Sequence, residues 1–115
     1  MALVKRLLFV CSRNRLRSPT AEQVFSTWPE VEVASAGLAP DADAPLTSDL
    51  VEWADIIFVM EKAHRTKLAS KFKASLNGQR VVCLNVPDRY EFMEPELVRL
   101  FTERVPKFLG AAGAI

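Results

Sequence analysis

The chain has 115 residues, half of them apolar and a quarter charged, and its formal net charge is +1. These values are typical of a globular protein and give no overall bias toward nucleic acid or a membrane surface. No apolar run is long enough to span a bilayer, and the short run after Lys5 and Arg6 lacks a signal-peptide cleavage site, so a cytoplasmic protein with a single domain, 1–115, is expected.

Strands and helices are predicted to alternate along the chain. Nearly continuous apolar residues predict strands at 4–10 and 56–60, with shorter strands at 32–36 and 81–84. Helices are predicted at 18–28, 47–53, 62–72 and 95–109, with Pro106 disturbing the end of the last one. The tail, 110–115, has little to order it. This alternation predicts an α/β fold, a small doubly wound three-layer α/β/α domain around a four-stranded parallel sheet.

A loop between the first strand and the first helix carries the strongest functional signal. Its sequence over 11–19 is Cys-Ser-Arg-Asn-Arg-Leu-Arg-Ser-Pro. A Cys, five residues, an Arg and a Ser suit a phosphate cradle in which loop amides and a helix N-terminus hold the anion and stabilise a thiolate. The last Arg offers two parallel donors to phosphate oxygens, and the Ser-Pro pair suits a helix start with Ser as the N-cap. The predicted phosphate-binding residues are Ser12, Arg13, Asn14, Arg15, Leu16, Arg17 and Ser18.

Three arginines in this loop focus positive potential where an anion would bind. Alternation along the loop predicts that Arg13 and Arg15 point away from the backbone cradle, toward the rest of a substrate. The alternative is that all three, including Arg17, are solvated surface residues. Asn14 is expected to adopt a positive φ, which Asn tolerates better than most residues.

The loop resembles the active-site loop of the low-molecular-weight protein tyrosine phosphatases, whose pattern is strand–Cys-x-x-Asn-x-x-Arg-Ser-Pro-x-Ala-Glu. Ala-Ser-Ala-Gly at 34–37, the strand at 54–60 and Pro-Asp-Arg-Tyr at 87–90 resemble later family segments in the same order. The resemblance implies strand order 2-1-3-4 and a protein tyrosine phosphatase that forms a cysteinyl phosphate. Cys11 would be the nucleophile, Arg17 would bind the phosphate oxygens, Ser18 would donate to the thiolate and Asp88 would be the general acid. No metal or cofactor is expected.

The predicted topology supports this pairing independently. Ligands of doubly wound sheets bind beyond the carboxyl ends of the strands, and both Cys11 and Asp88 follow strands at that edge. Alternatively Asp88 is only a turn residue, with Glu91 or Glu94 as the acid. Arg15 and Tyr90 are the predicted substrate-pocket residues, although Tyr90 would serve equally as an anchor for the loop.

The chain also departs from the family pattern. It is shorter between 37 and 54, which implies a more open pocket, and the loop has Arg13, Arg15 and Leu16 where the family has Gly, a small or apolar residue and Cys. Arg89 stands where Pro is usual. The expected substrate is a phosphorylated protein or a small phosphomonoester. Phosphotyrosine is the default, and phosphoarginine, phosphoserine, nucleotides and sugar phosphates stay open.

Two rival functions follow from the same loop. A phosphate- or phosphoprotein-binding module would use the arginines without turnover, but it would gain nothing from a nucleophile. A thiol-dependent arsenate reductase needs a relay of further cysteines, whereas only Cys83 follows Cys11. Cys83 is expected to be buried in its strand, and His64, in a lysine-rich helix, to be solvated. With two Cys and one His, a zinc site is not expected.

Overall fold

Four parallel strands form the middle layer of the protein, as seen in a computed structural model that describes residues 4–109. The elements, in chain order, are β1 (Lys5–Cys11), α1 (Arg17–Phe25), β2 (Val31–Gly37), α2 (Ser48–Trp53), β3 (Ile56–Val59), α3 (Lys62–Lys71), β4 (Arg80–Cys83) and α4 (Pro95–Arg104). Short 3₁₀ turns follow α3 and α4, at Lys73–Ser75 and Pro106–Phe108. The segment 110–115, which the sequence predicts to have little order, lies outside the described residues.

The strand order is β2-β1-β3-β4, and all neighbouring strands are parallel. Phe9 of β1 lies opposite Phe58 of β3, and Val59 of β3 lies opposite Cys83 of β4. The predicted α/β fold and the order 2-1-3-4 are therefore confirmed. Because every strand runs the same way, the carboxyl ends of β1, β3 and β4 meet at one edge of the sheet.

Each face of the sheet carries its own apolar core. On one face, α1 and α4 cover alternate residues of β1 and β3, including Phe9 and Phe58, with Phe25 and Phe101 supplied by the helices. The rings of Phe25, Phe58 and Phe101 each contact the ring of Phe9, which is fully buried. On the other face, α2 and α3 cover the intervening residues through Val51 and Leu68. Burial on both faces explains the continuous apolar runs of the central strands.

Two helices are shorter than predicted, for reasons that lie in their prolines. The first ends at Phe25 rather than at residue 28, because Pro29 disfavours a helical Trp28, whose ring packs edge-on against Phe25 at 4.8 Å instead. The last ends at Arg104 rather than at residue 109, because Pro106 has no N–H for a helical bond; a 3₁₀ turn follows. No helix among residues 4–109 is both long and apolar enough to cross a membrane.

Candidate active site

The cysteine-to-arginine loop lies at the carboxyl edge of the sheet, between the central strand β1 and α1. Cys11 is the last residue of β1 and is 4% exposed, and Arg17 is the first residue of α1. The loop therefore joins a buried strand to a helix N-terminus, whose free N–H groups and partial positive charge favour an anion. Leu16 occupies the N-cap position, so the prediction that Ser18 caps this helix is wrong.

The backbone of the loop is fixed from outside by the segment that follows β2. The carbonyl oxygens of Cys11, Ser12 and Arg13 accept hydrogen bonds from the amides of Leu38, Ala39 and Asp43 at 2.9, 2.8 and 3.0 Å. In a trans peptide the C=O and the following N–H point in opposite directions. The amides of residues 12–14 therefore face away from the 38–43 segment, toward the Cys11 side of the loop.

Glycine is required where these two segments meet. A Cβ atom on Gly37 would lie 2.7 Å from the carbonyl oxygen of Ser12 and 2.9 Å from the carbonyl carbon of Arg13. No real Cβ atom approaches backbone this closely. The end of β2 thus packs directly against the active-site loop, and a side chain at this position would displace it.

The sulfur of Cys11 sits among hydrogen-bond donors. The Oγ atom of Ser18 lies 2.9 Å from Sγ, and the amide of Asn14 donates to Sγ at 3.3 Å. Asn14 adopts a φ of 57°, as predicted, and its Nδ2 donates to Ser18 Oγ at 2.9 Å. The Ser18 hydroxyl also lies 3.5 Å from the carbonyl oxygen of Ala36, a longer contact than the 2.9 Å to the sulfur. When Cys11 is a thiolate, its sulfur can only accept, so the Ser18 hydroxyl donates to it and stabilises the negative charge.

The guanidinium of Arg17 is buried and held on one side by acceptors from two other elements. Its Nη1 donates to Glu61 Oε2 at 2.5 Å and to the carbonyl oxygen of Val86 at 2.9 Å. Its Nε lies 3.7 Å from Asp88 Oδ1. Because both hydrogens of Nη1 are engaged, Nε and Nη2 are the donors that Arg17 can offer to a phosphate. The hydrogen bond from Arg17 lowers the pKa of Glu61, so this carboxylate is charged at neutral pH.

His64 is part of this site, contrary to the prediction that it is solvated. It is 3% exposed, and its Nε2 lies 3.0 Å from Ser12 Oγ. Its Nδ1 accepts the backbone N–H of Glu61 at 3.2 Å, so the neutral ring carries its proton on Nε2 and donates it to Ser12. Burial, followed by the charge of Arg17, lowers the pKa of His64 and favours this neutral form. The start of α3 thus holds both ends of the loop, Ser12 through His64 and Arg17 through Glu61.

The two outer arginines pair with carboxylates of the segment after β2. Arg13 Nη1 lies 2.8 Å from Asp41 Oδ2, and Arg15 Nε lies 3.2 Å from Asp43 Oδ1. All four side chains are half exposed or more. Such ion pairs contribute little stability, so an anionic group can displace the carboxylates at small cost. The sequence did not indicate these pairs, because the acidic partners lie 28 residues away.

A cavity of about 390 Å³ opens above the loop, with Cys11, Arg15, Arg17 and Asp88 in its wall. Ser12, Arg13 and Leu16 complete the lining. The Asp88 side chain is 66% exposed and lies in the wall of this cavity beside Arg17.

Tyr90 does not line this cavity. Its side chain is 5% exposed and packs in the core between sheet, α1 and α4, so it anchors the segment that carries Asp88. Glu91 and Glu94 are also absent from the cavity wall, and Glu94 instead accepts the backbone N–H of Glu91 at 3.0 Å. Of the three carboxylates considered for the acid, the structure therefore brings only Asp88 to the cavity.

Cys83 lies apart from this cavity on the edge strand β4. It is half-buried rather than buried as predicted, and its Sγ donates to Asn85 Oδ1 at 3.4 Å. It lines a different cavity, and the chain has no further cysteine to complete a relay. The alternative function as an arsenate reductase is therefore not favoured.

Comparison with known proteins supports the family resemblance that the loop sequence suggested. No protein-family model matches the sequence. A protein-arginine-phosphatase of Bacillus subtilis is 32% identical over an alignment of 93 positions, gaps included. The alignment covers 57% of this chain and 62% of the relative, less than two thirds of the relative's length. The probable low molecular weight protein-tyrosine-phosphatase AmsI of Erwinia amylovora is 28% identical over an alignment of 117 positions, gaps included, which covers 81% of each chain. A crystal structure of a YwlE mutant from Bacillus subtilis superimposes with a TM-score of 0.67 at 25% identity, covering 91% of this chain and 98% of that one.

The chain is therefore similar in sequence and in fold to low-molecular-weight protein tyrosine phosphatases. The family resemblance predicted from the loop is therefore confirmed. The similarity to cysteine-based phosphatases agrees with the position of Cys11 at the end of the central strand.

Proposed function

We propose that this protein is a cysteine-dependent phosphatase that hydrolyses phosphorylated proteins through a cysteinyl-phosphate intermediate. The observation that carries the proposal is the setting of the Cys11 sulfur. It lies 2.9 Å from the Ser18 hydroxyl and 3.3 Å from the Asn14 amide, in a cavity whose wall also contains Arg17 and Asp88. A purely phosphate-binding module has no use for an activated thiol at this position.

The first chemical step transfers the phosphoryl group to sulfur. The Cys11 thiolate attacks phosphorus, and the loop amides with Nε and Nη2 of Arg17 bind the three equatorial oxygens, where charge spreads in the transition state. Asp88 protonates the departing oxygen, so the leaving group departs neutral.

The second step releases phosphate. Asp88, now ionised, takes a proton from a water molecule that attacks the phosphorus, and the thiolate departs. The Ser18 hydroxyl stabilises the thiolate both before attack and on departure, because it donates to the sulfur. The residues present carry out both steps without a metal or organic cofactor.

We propose phosphotyrosine as the first substrate to test, because the AmsI relative is named a probable protein-tyrosine-phosphatase. Phosphoarginine is the second, because the other relative is named a protein-arginine-phosphatase. Asp88 lines the cavity, and Asp41 and Asp43 pair with two other residues of its wall, Arg13 and Arg15. These carboxylates make the comparison informative, since a phosphorylated guanidinium group carries a cation beside the phosphate and a phosphorylated phenol does not. A reducing compartment such as the cytoplasm suits a thiol nucleophile.

Hydrolysis of p-nitrophenyl phosphate under reducing conditions tests the proposed chemistry. Cys11→Ser is expected to abolish turnover while the protein stays folded. Asp88→Asn is expected to lower kcat by about 10²-fold or more, the usual contribution of a general acid. Glu91→Gln is the matched control and is expected to leave the rate unchanged, because Glu91 does not line the cavity.

Two other outcomes would overturn either the phosphatase proposal or the choice of Asp88 as its general acid. A folded wild-type protein that binds inorganic phosphate but turns over no aryl phosphate, phosphotyrosine or phosphoarginine peptide is a binding module. A large loss in Glu91→Gln with none in Asp88→Asn would move the acid to Glu91.

A further inference from the structure

A group of five cations surrounds the outer edge of β4, outside the cavity described above. Two adjoining depressions, of about 600 and 250 Å³, share Cys83, Asn85 and Phe108 in their walls, and together they form what we call the β4 groove. The cations in its wall are Lys62, Arg65, Arg80, Arg104 and Lys107. No carboxylate lines it, and none of the five forms an ion pair within residues 4–109.

Neutral partners hold these cations in place. Arg65 Nη2 donates to the carbonyl oxygen of Val81 at 2.9 Å. Arg104 Nη1 donates to the carbonyl oxygens of Leu84 and Asn85 at 2.8 and 2.9 Å. Each guanidinium is therefore fixed at the strand edge, while its full charge and its remaining N–H groups are left for another partner.

A second pair of cations shares one aromatic ring. The Arg80 guanidinium lies 5.1 Å from the centre of the Phe108 ring, and Lys107 Nζ lies 5.5 Å from it. Ring faces attract cations but do not neutralise them. Both positive charges therefore lie near the same ring, and an anion bound close to that ring would be attracted by both.

The active-site arginines show the opposite arrangement. Arg13, Arg15 and Arg17 each have a carboxylate partner, from Asp41, Asp43 and Glu61. The cations of the β4 groove thus have no carboxylate partners among residues 4–109, whereas each arginine of the loop has one. The groove also leads toward the active site. Lys62 and Asn85 line both the groove and a further depression. The wall of that depression also contains Glu61, which binds Arg17, and Pro87, which directly precedes Asp88.

We propose that the β4 groove binds an acidic segment of the phosphoprotein substrate while its phosphorylated residue occupies the Cys11 cavity. The proposal rests on the phosphatase function proposed above. An acidic polypeptide fits better than nucleic acid, because the whole chain carries a net charge of only +1 and a pI of about 7.8, without the overall basicity typical of nucleic-acid-binding domains. Specificity then arises partly from charge outside the catalytic cavity.

The experiment compares two phosphotyrosine peptides that differ only in their flanks, one rich in Glu and one with Gln at the same positions. At low ionic strength kcat/KM is expected to be about three- to tenfold higher for the Glu peptide, and the advantage should disappear near 0.5 M salt. Arg80→Gln with Lys107→Gln should remove most of this advantage, chiefly through KM. The same double variant should leave hydrolysis of p-nitrophenyl phosphate unchanged, since neither residue lines the Cys11 cavity.

A charge-matched control is Lys5→Gln with Lys73→Gln, which removes two cations from outside the groove. This control should keep the preference for the Glu peptide. Equal kcat/KM for the two peptides in the wild type, or equal losses in the two double variants, would overturn the proposal. Tighter binding of a single-stranded oligonucleotide than of the Glu peptide would also overturn it, in favour of a nucleic-acid surface.

A direct binding measurement separates this proposal from the proposed function. Fluorescence anisotropy of a labelled Glu-rich peptide without phosphate reports on the groove whether or not the protein is an enzyme. If no phosphorylated substrate is hydrolysed yet the wild type binds this peptide and the Arg80/Lys107 variant does not, the phosphatase proposal fails and the groove is an acidic-peptide site. If phosphotyrosine is hydrolysed but the peptide does not bind, only the groove proposal fails.

Discussion

Replacing Gly37 by alanine should disturb the active-site loop more than it disturbs the fold. The new Cβ would lie 2.5 Å from the Ala42 Cβ and 2.7 Å from the Ser12 carbonyl oxygen. Carbon atoms pack best at about 3.5–4.0 Å, so the first contact is about 1 Å too short. The second involves backbone that is hydrogen-bonded to residue 39, so the loop itself must move. Overpacking of this kind costs about 1–3 kcal/mol of unfolding free energy.

The loss of activity should be larger than this loss of stability suggests. A shift of about 1 Å in catalytic geometry can cost about 100-fold in rate, so kcat/KM for p-nitrophenyl phosphate is expected to fall about 10- to 100-fold in Gly37→Ala. Gly78→Ala is the matched control. Its φ of +95° disfavours alanine by about 1–2 kcal/mol, but apart from the adjoining residues no heavy atom of residues 4–109 lies within 4 Å of the new Cβ. Urea unfolding and steady-state kinetics on both variants make the comparison. Normal activity in Gly37→Ala, or equal losses in both variants, would refute the reasoning.

Three further changes test the site and the core. Ser18→Ala removes the hydroxyl 2.9 Å from the Cys11 sulfur, and since hydrogen bonds to charged groups contribute about 1.5–3 kcal/mol, kcat/KM for p-nitrophenyl phosphate should fall about 10- to 100-fold; an unchanged rate would contradict the assigned contact. The pKa of His64 is held below its usual 6.5, so on acidification the imidazole is protonated in the unfolded chain before it is protonated in the folded protein. The free energy of unfolding should therefore decline as pH falls below about 6.5. Urea melts from pH 8 to 5.5 should show a weaker decline in His64→Gln, and parallel curves for the two proteins would argue against a buried neutral imidazole. Phe9→Ala should destabilise the fold by about 3–5 kcal/mol in the same assay, because this fully buried ring contacts three others; a loss below about 1 kcal/mol would be inconsistent with that packing.

The apolar runs of the sequence predicted the parallel sheet, and the family resemblance of the loop predicted the order of its strands. The runs that became β1 and β3 are apolar because both faces of the central strands are covered, and the Cys-to-Arg loop stands out by its fixed spacing. Helix ends were less predictable. Ser18 looks like an N-cap, but its hydroxyl is taken by Cys11, a contact that depends on the loop closing on itself.

The contacts that position the loop from other elements were not predicted. His64 is surrounded in sequence by Lys62, Arg65 and Lys67, and nothing in that composition shows that one side of the helix start faces the loop. A usable signal did exist, because Glu61 and His64 have the three-residue spacing of a capping box, with His in the place of the usual Glu or Gln. The pairing of Glu61 with Arg17, 44 residues away, leaves no comparable local signal.

The hydrogen bonds from residues 38–43 to the active-site loop bear on how the protein would respond to inhibitors. Since the carbonyl groups of residues 11–13 are already occupied, the loop does not wait for an anion in order to take its shape. Oxyanions such as vanadate or sulfate should then bind to a loop that already has its final shape. Amide exchange at Leu38, Ala39 and Asp43, whose N–H groups donate these bonds, should be slow even without an anion. Differences in affinity among such small anions would reflect their own size and charge, with little contribution from ordering of the loop.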